Sequence, residues 1–222
     1  WYDRYYHPNN ATIVVVGDVT ADYVFDLAEK HFGGIPMGVI PSEKTRPEVK
    51  QSGRKSIEFS SIKAKVPRVV LGYKVPSYKQ ALSDSEIEVW EPFALEVLAT
   101  VLGGFNGARL ESSVVRKLKL ATSASVSYSW ATLLPDLFTI SAIPKSGISL
   151  ERLEKALREE LSNLIKNPPD NRELKKVIAQ TLSGATFQLD SIAYRAMLIG
   201  TLESVGLDWK LNTDYVDNIK AI

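Results

Sequence analysis

Residues 123–130 read SASVSYSW, so that serine alternates with Ala124, Val126, Tyr128 and Trp130. Side chains on an extended strand point to opposite faces in turn, so this pattern gives one polar and one apolar face. Residues 138–142 repeat the alternation after a turn signal at residues 134–136. The sequence therefore predicts an antiparallel hairpin with one solvated face.

Helical patterns surround this hairpin. Pro92 suits the first turn of a helix that ends at two consecutive glycines, and a second helix is predicted from about residue 108 to 118. Ser149 and Asp170 are N-cap residues for two further helical stretches, the second interrupted near Gly184 or Asp190. Strands in a hairpin with long helices after them predict an α+β fold, a mainly antiparallel sheet with helices packed on one face.

The N-terminal part follows a different pattern. Residues 12–16 form a β-branched run that predicts a buried strand, and a helix capped by Thr20 follows it. Residues 37–56 are rich in proline, glycine and charge, which is typical of a linker. Short strands are predicted at Ile57–Phe59 and over residues 68–76. We therefore divide the chain into segments 1–36, 37–56 and 57–222.

Composition excludes several classes of protein. The formal net charge is +1 with 45% hydrophobic residues, which is ordinary globular composition and argues against nucleic acid as a partner. There is no cysteine, and the two histidines, His7 and His31, are too far apart for a local metal pair. The first residues resemble neither a signal peptide nor a transmembrane segment, so no membrane insertion is expected.

Several segments carry a resemblance through their order along the chain. They are WYDRYYHPNNATIVVVGDV at 1–19, LAEKHFGGIP at 27–36, LGYKVP at 71–76, ALEVLATVLGG at 94–104, Arg109-Leu110 and LATS at 120–123. In this order they resemble the pitrilysin/insulinase (M16) zinc peptidases over nearly the whole chain. Segment 1–36 resembles the strand and helix that close the first homologous half of that family. Segment 57–222 resembles the second half, truncated at its C-terminal end.

The resemblance implies a zinc metalloendopeptidase as the parent protein. Its zinc would be held by an inverted HxxEH helix and a downstream glutamate in the first half, upstream of Trp1, with the motif glutamate activating water. The helix from Pro92 is similar to that helix and keeps Glu96, but Phe93 and Val97 occupy the ligand positions. We expect a fragment without zinc or catalytic residues, inactive by itself, that helps to form the peptide-binding chamber.

The second half of this family often supplies an arginine and a tyrosine, seven residues apart, that contact substrate. Alignment on residues 120–121 places Val115 and Thr122 there, and Arg116 lies one position away. The resemblance implies Arg109, Arg116 and Thr122 as candidate substrate-binding residues. Because the pair is missing, the chain resembles the second half of a zinc-bearing subunit, which implies a homologous partner subunit.

The expected partners are the missing HxxEH-bearing half, the homologous subunit and peptide substrates. Location in the periplasm or cell envelope is expected if the parent carries a signal peptide. The duplication suggests that residues 12–16 complete the second-half sheet, in the same chain or a neighbouring one. Two alternatives stay open: a structural or assembly protein of the same fold that has lost catalysis, and an unrelated α+β interaction module.

Overall fold

The computed structural model describes residues 1–42 and 51–222. The chain divides into two compact units, Trp1–Lys65 and Val66–Ile222. The linker proposed at 37–56 falls within the first unit, and its residues 43–50 lie outside the described residues. The three-part division therefore stays a prediction.

The first unit contains short helices joined by irregular chain. They are α1 (Tyr2–Tyr5), a 3₁₀ turn (Pro8–Asn10) and α2 (Ala21–Phe32). The Asn9 amide both donates to the Gly38 carbonyl and accepts from the Gly38 N–H, each at 3.0 Å. No residue of α2 is buried, and Phe25 is 68% exposed. Val24 and Ala28 on its apolar side are partly buried, so no side chain of this helix lies in a fully buried core.

The strand predicted at residues 12–16 is wrong for this structure. These residues belong to no strand, and Ile13 and Val15 are 59% and 50% exposed. A β-branched run favours extended backbone, but a strand also needs a neighbour to complete its hydrogen bonds. The strand predicted at Ile57–Phe59 is wrong for the same reason. Residues 12–16 thus do not complete the second-half sheet within this chain, and pairing with a neighbouring chain stays a prediction.

The second unit is built on a three-stranded antiparallel sheet. Its strands are β1 (Val69–Val75), β2 (Ala121–Ser127) and β3 (Asp136–Pro144), in the order β1-β3-β2. Ile140 at its centre pairs with Leu71 on one side and Val126 on the other. Every second residue of β3 from Phe138 onwards is buried. The predicted hairpin is confirmed.

Helices make up most of the second unit. They are α3 (Tyr78–Ala81), α4 (Glu91–Gly103), a π-helix (Glu111–Lys117), α5 (Leu150–Lys166), α6 (Asn171–Gln188), α7 (Ile192–Ser204) and α8 (Leu211–Lys220). Ser149 and Asp170 accept hydrogen bonds from the first turns of α5 and α6, as predicted. The predicted break falls after Leu189, where Ser191 caps α7, and Gly184 lies inside α6.

One hydrophobic core joins the sheet to the helices. Phe93 and Val101 of α4 and Leu157 of α5 are at most 1% exposed and share this core with Ile140 of β3. The α+β class predicted from the sequence is therefore confirmed. Among the described helices, none is both long and apolar enough to span a bilayer.

Candidate functional site

Helix α4 places the residues compared with the HxxEH motif one turn apart. Phe93 is 1% exposed, and its ring centroid lies 5.5 Å from that of Trp130. Val97 is 2% exposed and belongs to the same core. Zinc sites in proteins need three or four nitrogen, sulfur or oxygen ligands, so a single carboxylate between two apolar side chains does not fit zinc. Within residues 1–42 and 51–222, no group of three acidic, histidine or cysteine side chains is placed to hold a metal.

Glu96 places a carboxyl group beside the core, on the same helix as Phe93 and Val97. The Tyr215 hydroxyl donates a hydrogen bond of 2.7 Å to Glu96 Oε1. Glu96 Oε2 is buried and has no hydrogen-bond partner among the described residues. Burial raises the pKa of Glu96 from 4.5 to about 7, although the hydrogen bond from Tyr215 acts in the opposite direction. The carboxyl group is therefore partly ionised near neutral pH.

The charge of this carboxyl group acts on three tyrosines. Burial, followed by the charge of Glu96, raises the pKa of Tyr128, Tyr194 and Tyr215 above the ordinary value of 10. The Tyr128 hydroxyl donates to the carbonyl of Pro76 at 2.6 Å. All three phenols stay protonated at neutral pH and can act as neutral hydrogen-bond donors.

A cavity of about 330 Å³ opens beside Glu96. Its walls come from α4, α6, α7 and α8, together with Trp130. The Trp130 ring stacks on Tyr215 with a centroid distance of 5.8 Å. The remaining polar walls are amide and hydroxyl side chains: Thr100, Gln180, Thr181, Thr186, Gln188, Tyr194 and Asn212. None of the described residues that line this cavity is lysine, arginine or histidine.

Arg109, a predicted substrate-binding residue, is held in an internal ion pair. Its Nε and Nη2 atoms donate to the two carboxylate oxygens of Glu173 at 2.9 and 2.6 Å. Its Nη1 atom donates to the carbonyl of Asn167 at 2.8 Å. The guanidinium thus links the end of α5 to the first turn of α6. Its role toward substrate stays a prediction.

Arg116 and Thr122 lie on other elements. Arg116 lies in the last turn of the π-helix, and its Nε atom is 3.2 Å from Glu111 Oε1, with 61% of the arginine side chain exposed. The Thr122 hydroxyl donates to the carbonyl of Ile143 at 3.3 Å, where the β2–β3 register shifts. The contacts that the structure gives for Arg109, Arg116 and Thr122 do not join any two of them. Substrate binding by Arg116 and Thr122 also stays a prediction.

Sequence reasoning missed the partner of Glu96. Tyr215 is 119 residues away and reaches Glu96 because α8 packs on α4. Its position in a helical pattern near the end of the chain gave no sign of this pair. The cavity was missed for the same reason, since its walls come from four separate helices.

Comparison with known proteins decides the family. The model of the peptidase M16 inactive domain matches residues 1–181. The chain belongs to this family. This M16 domain is 30% identical over 180 residues to the zinc protease PqqE of Helicobacter pylori, a match that covers 80% of the chain and 38% of that relative. The resemblance found in the sequence is therefore confirmed.

Solved structures share the fold. A protease from Helicobacter pylori matches with a TM-score of 0.83 and 28% identity, over 99% of this chain and 51% of its own. The peptidase M16 inactive domain from Pseudomonas fluorescens matches with a TM-score of 0.72 and 19% identity, over 93% of this chain and 46% of its own. This M16 domain thus spans about half the length of these two structures and less of the curated relative.

Proposed function

We propose that this chain is the non-catalytic C-terminal region of a zinc-dependent M16 metallopeptidase and helps to form its peptide-binding chamber. The observation that carries the proposal is that α4, the helix similar to the zinc-binding helix of this family, has no histidine. Phe93 and Val97 fill the core at the two positions compared with zinc ligands, and Glu96 is left without histidines. Such a helix contributes packing surface rather than a metal site.

In this proposal the zinc belongs to the upstream half of the parent protein. That half would carry the HxxEH motif, bind the peptide together with this region and activate water on the metal. The name of the Helicobacter pylori relative, a zinc protease, supports zinc in the parent. Export to the periplasm or cell envelope is part of the proposal if the parent has a signal peptide.

The test uses the full-length protein, including everything that precedes Trp1. We expect one equivalent of zinc and cleavage of a fluorogenic peptide that a chelator abolishes. Deletion of residues 57–222 should remove cleavage, and Glu96→Gln should leave the zinc content unchanged. Loss of zinc in Glu96→Gln would contradict the assignment of α4 as a helix without metal. A folded protein with neither zinc nor cleavage would instead favour the structural or assembly role.

A homologous partner subunit completes the proposal, because this chain lacks the arginine and tyrosine pair. The full-length protein would be analysed by size exclusion alone and after co-expression with a homologous neighbour. Co-elution, with cleavage only in the mixed sample, is the expected result. Full cleavage by an isolated monomer would refute the need for a partner and leave the chamber role intact.

A further inference from the structure

The cavity beside Glu96 contains a carboxyl group that no basic side chain of the described lining pairs with. Buried carboxylates in proteins are usually paired with a cation or fully hydrogen-bonded. Glu96 has one hydrogen bond, from Tyr215, and its Oε2 atom has none within the described part of the chain. No basic side chain lies among the described lining residues. The described lining therefore supplies neither a positive charge for the carboxylate nor a hydrogen-bond donor for its Oε2 atom.

The walls restrict the kind of cation that fits. Trp130, Tyr194 and Tyr215 supply aromatic rings, whose faces attract cations. Ala185 and Leu198 supply aliphatic surface suited to a hydrocarbon chain. An anionic ligand would be repelled by the Glu96 carboxylate, and no basic side chain of the described lining would attract it. The volume of about 330 Å³ lies in the range of small-molecule sites.

We propose that this cavity binds a primary alkylammonium group, with the ammonium on the Glu96 carboxylate and the alkyl chain between the aromatic and aliphatic walls. The group can belong to a free amine or to the lysine side chain of a peptide, which present the same chemistry. All residues of the site lie in the second unit of this chain, so binding can be tested without zinc and without peptide cleavage.

The direct test compares n-pentylamine with 1-pentanol on the 222-residue chain. Binding would be followed by NMR from the indole N–H signals, of which Trp130 should shift on titration. Both compounds can donate a hydrogen bond to Glu96, but only the amine adds the attraction of an opposite charge, so we expect the alcohol to bind at least about tenfold more weakly. Equal binding of the two compounds, or no saturable shift with the amine, would overturn the proposal.

Substitutions add a second, independent arm. Glu96→Gln keeps the shape of the side chain but removes its charge, and we expect about a tenfold or greater loss of amine affinity. The exposed Glu86, changed to glutamine, is the matched control and should bind as the wild type does. Unchanged affinity in Glu96→Gln would overturn the proposal. If that variant does not fold, the comparison of amine with alcohol on the wild type still decides.

A third arm identifies the source of the ammonium group. A short lysine-containing peptide would be compared with the same peptide acetylated on the lysine Nε atom. Binding of the first and not the second supports the proposal with a peptide side chain as the ligand. Binding of n-pentylamine but of neither peptide supports it with a free amine as the ligand. Equal binding of both peptides would show that the ammonium is not recognised and would overturn it.

Discussion

The substitution Glu96→Gln tests the electrostatics of the core most sharply. Glutamine preserves the volume of the side chain and can still accept the hydrogen bond from Tyr215. It removes a carboxyl group whose pKa burial raises from 4.5 to about 7. In the unfolded chain the carboxyl group is exposed to water, so its pKa returns to the ordinary value.

The sign of the effect follows from proton binding. Between about pH 4.5 and pH 7 the folded chain holds a proton at Glu96 more often than the unfolded chain does, so the free energy of unfolding falls as the pH rises. The separation of the two pKa values corresponds to about 3 kcal/mol. As the pH rises from 4 to 8, Glu96→Gln should therefore become more stable relative to the wild type, by most of about 3 kcal/mol.

Urea unfolding followed by circular dichroism would measure the free energy of unfolding of both proteins at pH 4 and at pH 8. The difference between the wild type and Glu96→Gln cancels the titration of all groups that the two proteins share. Glu86→Gln, at an exposed position of the same unit, serves as the matched control for replacing a glutamate by glutamine. A wild-type-minus-variant difference that changes by less than about 0.5 kcal/mol across this range would refute the burial argument.

Three further substitutions test individual contacts in the second unit. Tyr215→Phe removes a hydrogen bond to the charged form of Glu96. It should lower the free energy of unfolding by about 1–2 kcal/mol and raise the pKa of the Glu96 carboxyl group above about 7. An unchanged carboxyl pKa in an NMR titration would contradict this. Arg109→Lys cannot keep both hydrogen bonds to its carboxylate partner on α6 and should lower the free energy of unfolding in urea by about 1 kcal/mol. An unchanged free energy of unfolding would show that the paired hydrogen bonds of the guanidinium do not stabilise the fold. Gly103→Ala should cost about 1–3 kcal/mol, because its Cβ would lie 2.9 Å from backbone of the adjacent strand. Gly184→Ala, with open space around it inside α6, is the control and should be neutral or stabilising; equal losses in the two variants would refute the packing argument.

Local signals in the sequence predicted the second unit well. The alternation over residues 123–130 and 138–142 gave the β2–β3 hairpin, because a period of two is a direct consequence of strand geometry. The caps at Ser149 and Asp170 gave the starts of α5 and α6, because an N-cap acts only on the turn that follows it. Such features require no knowledge of distant residues.

Features that depend on distant residues were not predicted. Residues 12–16 have the composition of a strand, but strand formation depends on a neighbour that their own sequence does not specify. The helix at 109–117 is largely a π-helix, in which the Leu118 N–H donates to the carbonyl of Ser113, and the periodicity gave no sign of this change. The candidate substrate residues Arg109, Arg116 and Thr122 came from resemblance alone.

The composition of α4 accounts for the missing metal ligands and leaves one carboxyl group beside the cavity. Phe93 and Val97 lie next to Glu96 on the helix and pack into the core. Burial raises the pKa of the Glu96 carboxyl group, whereas a metal ion held beside it by histidines would lower that pKa. A glutamate that a zinc site would place beside a cation is here left in an aromatic cavity without one. Phe93 and Val97 therefore make this helix unsuitable for zinc, while Glu96 and Thr100 of the same helix line the cavity for which we propose an ammonium ligand.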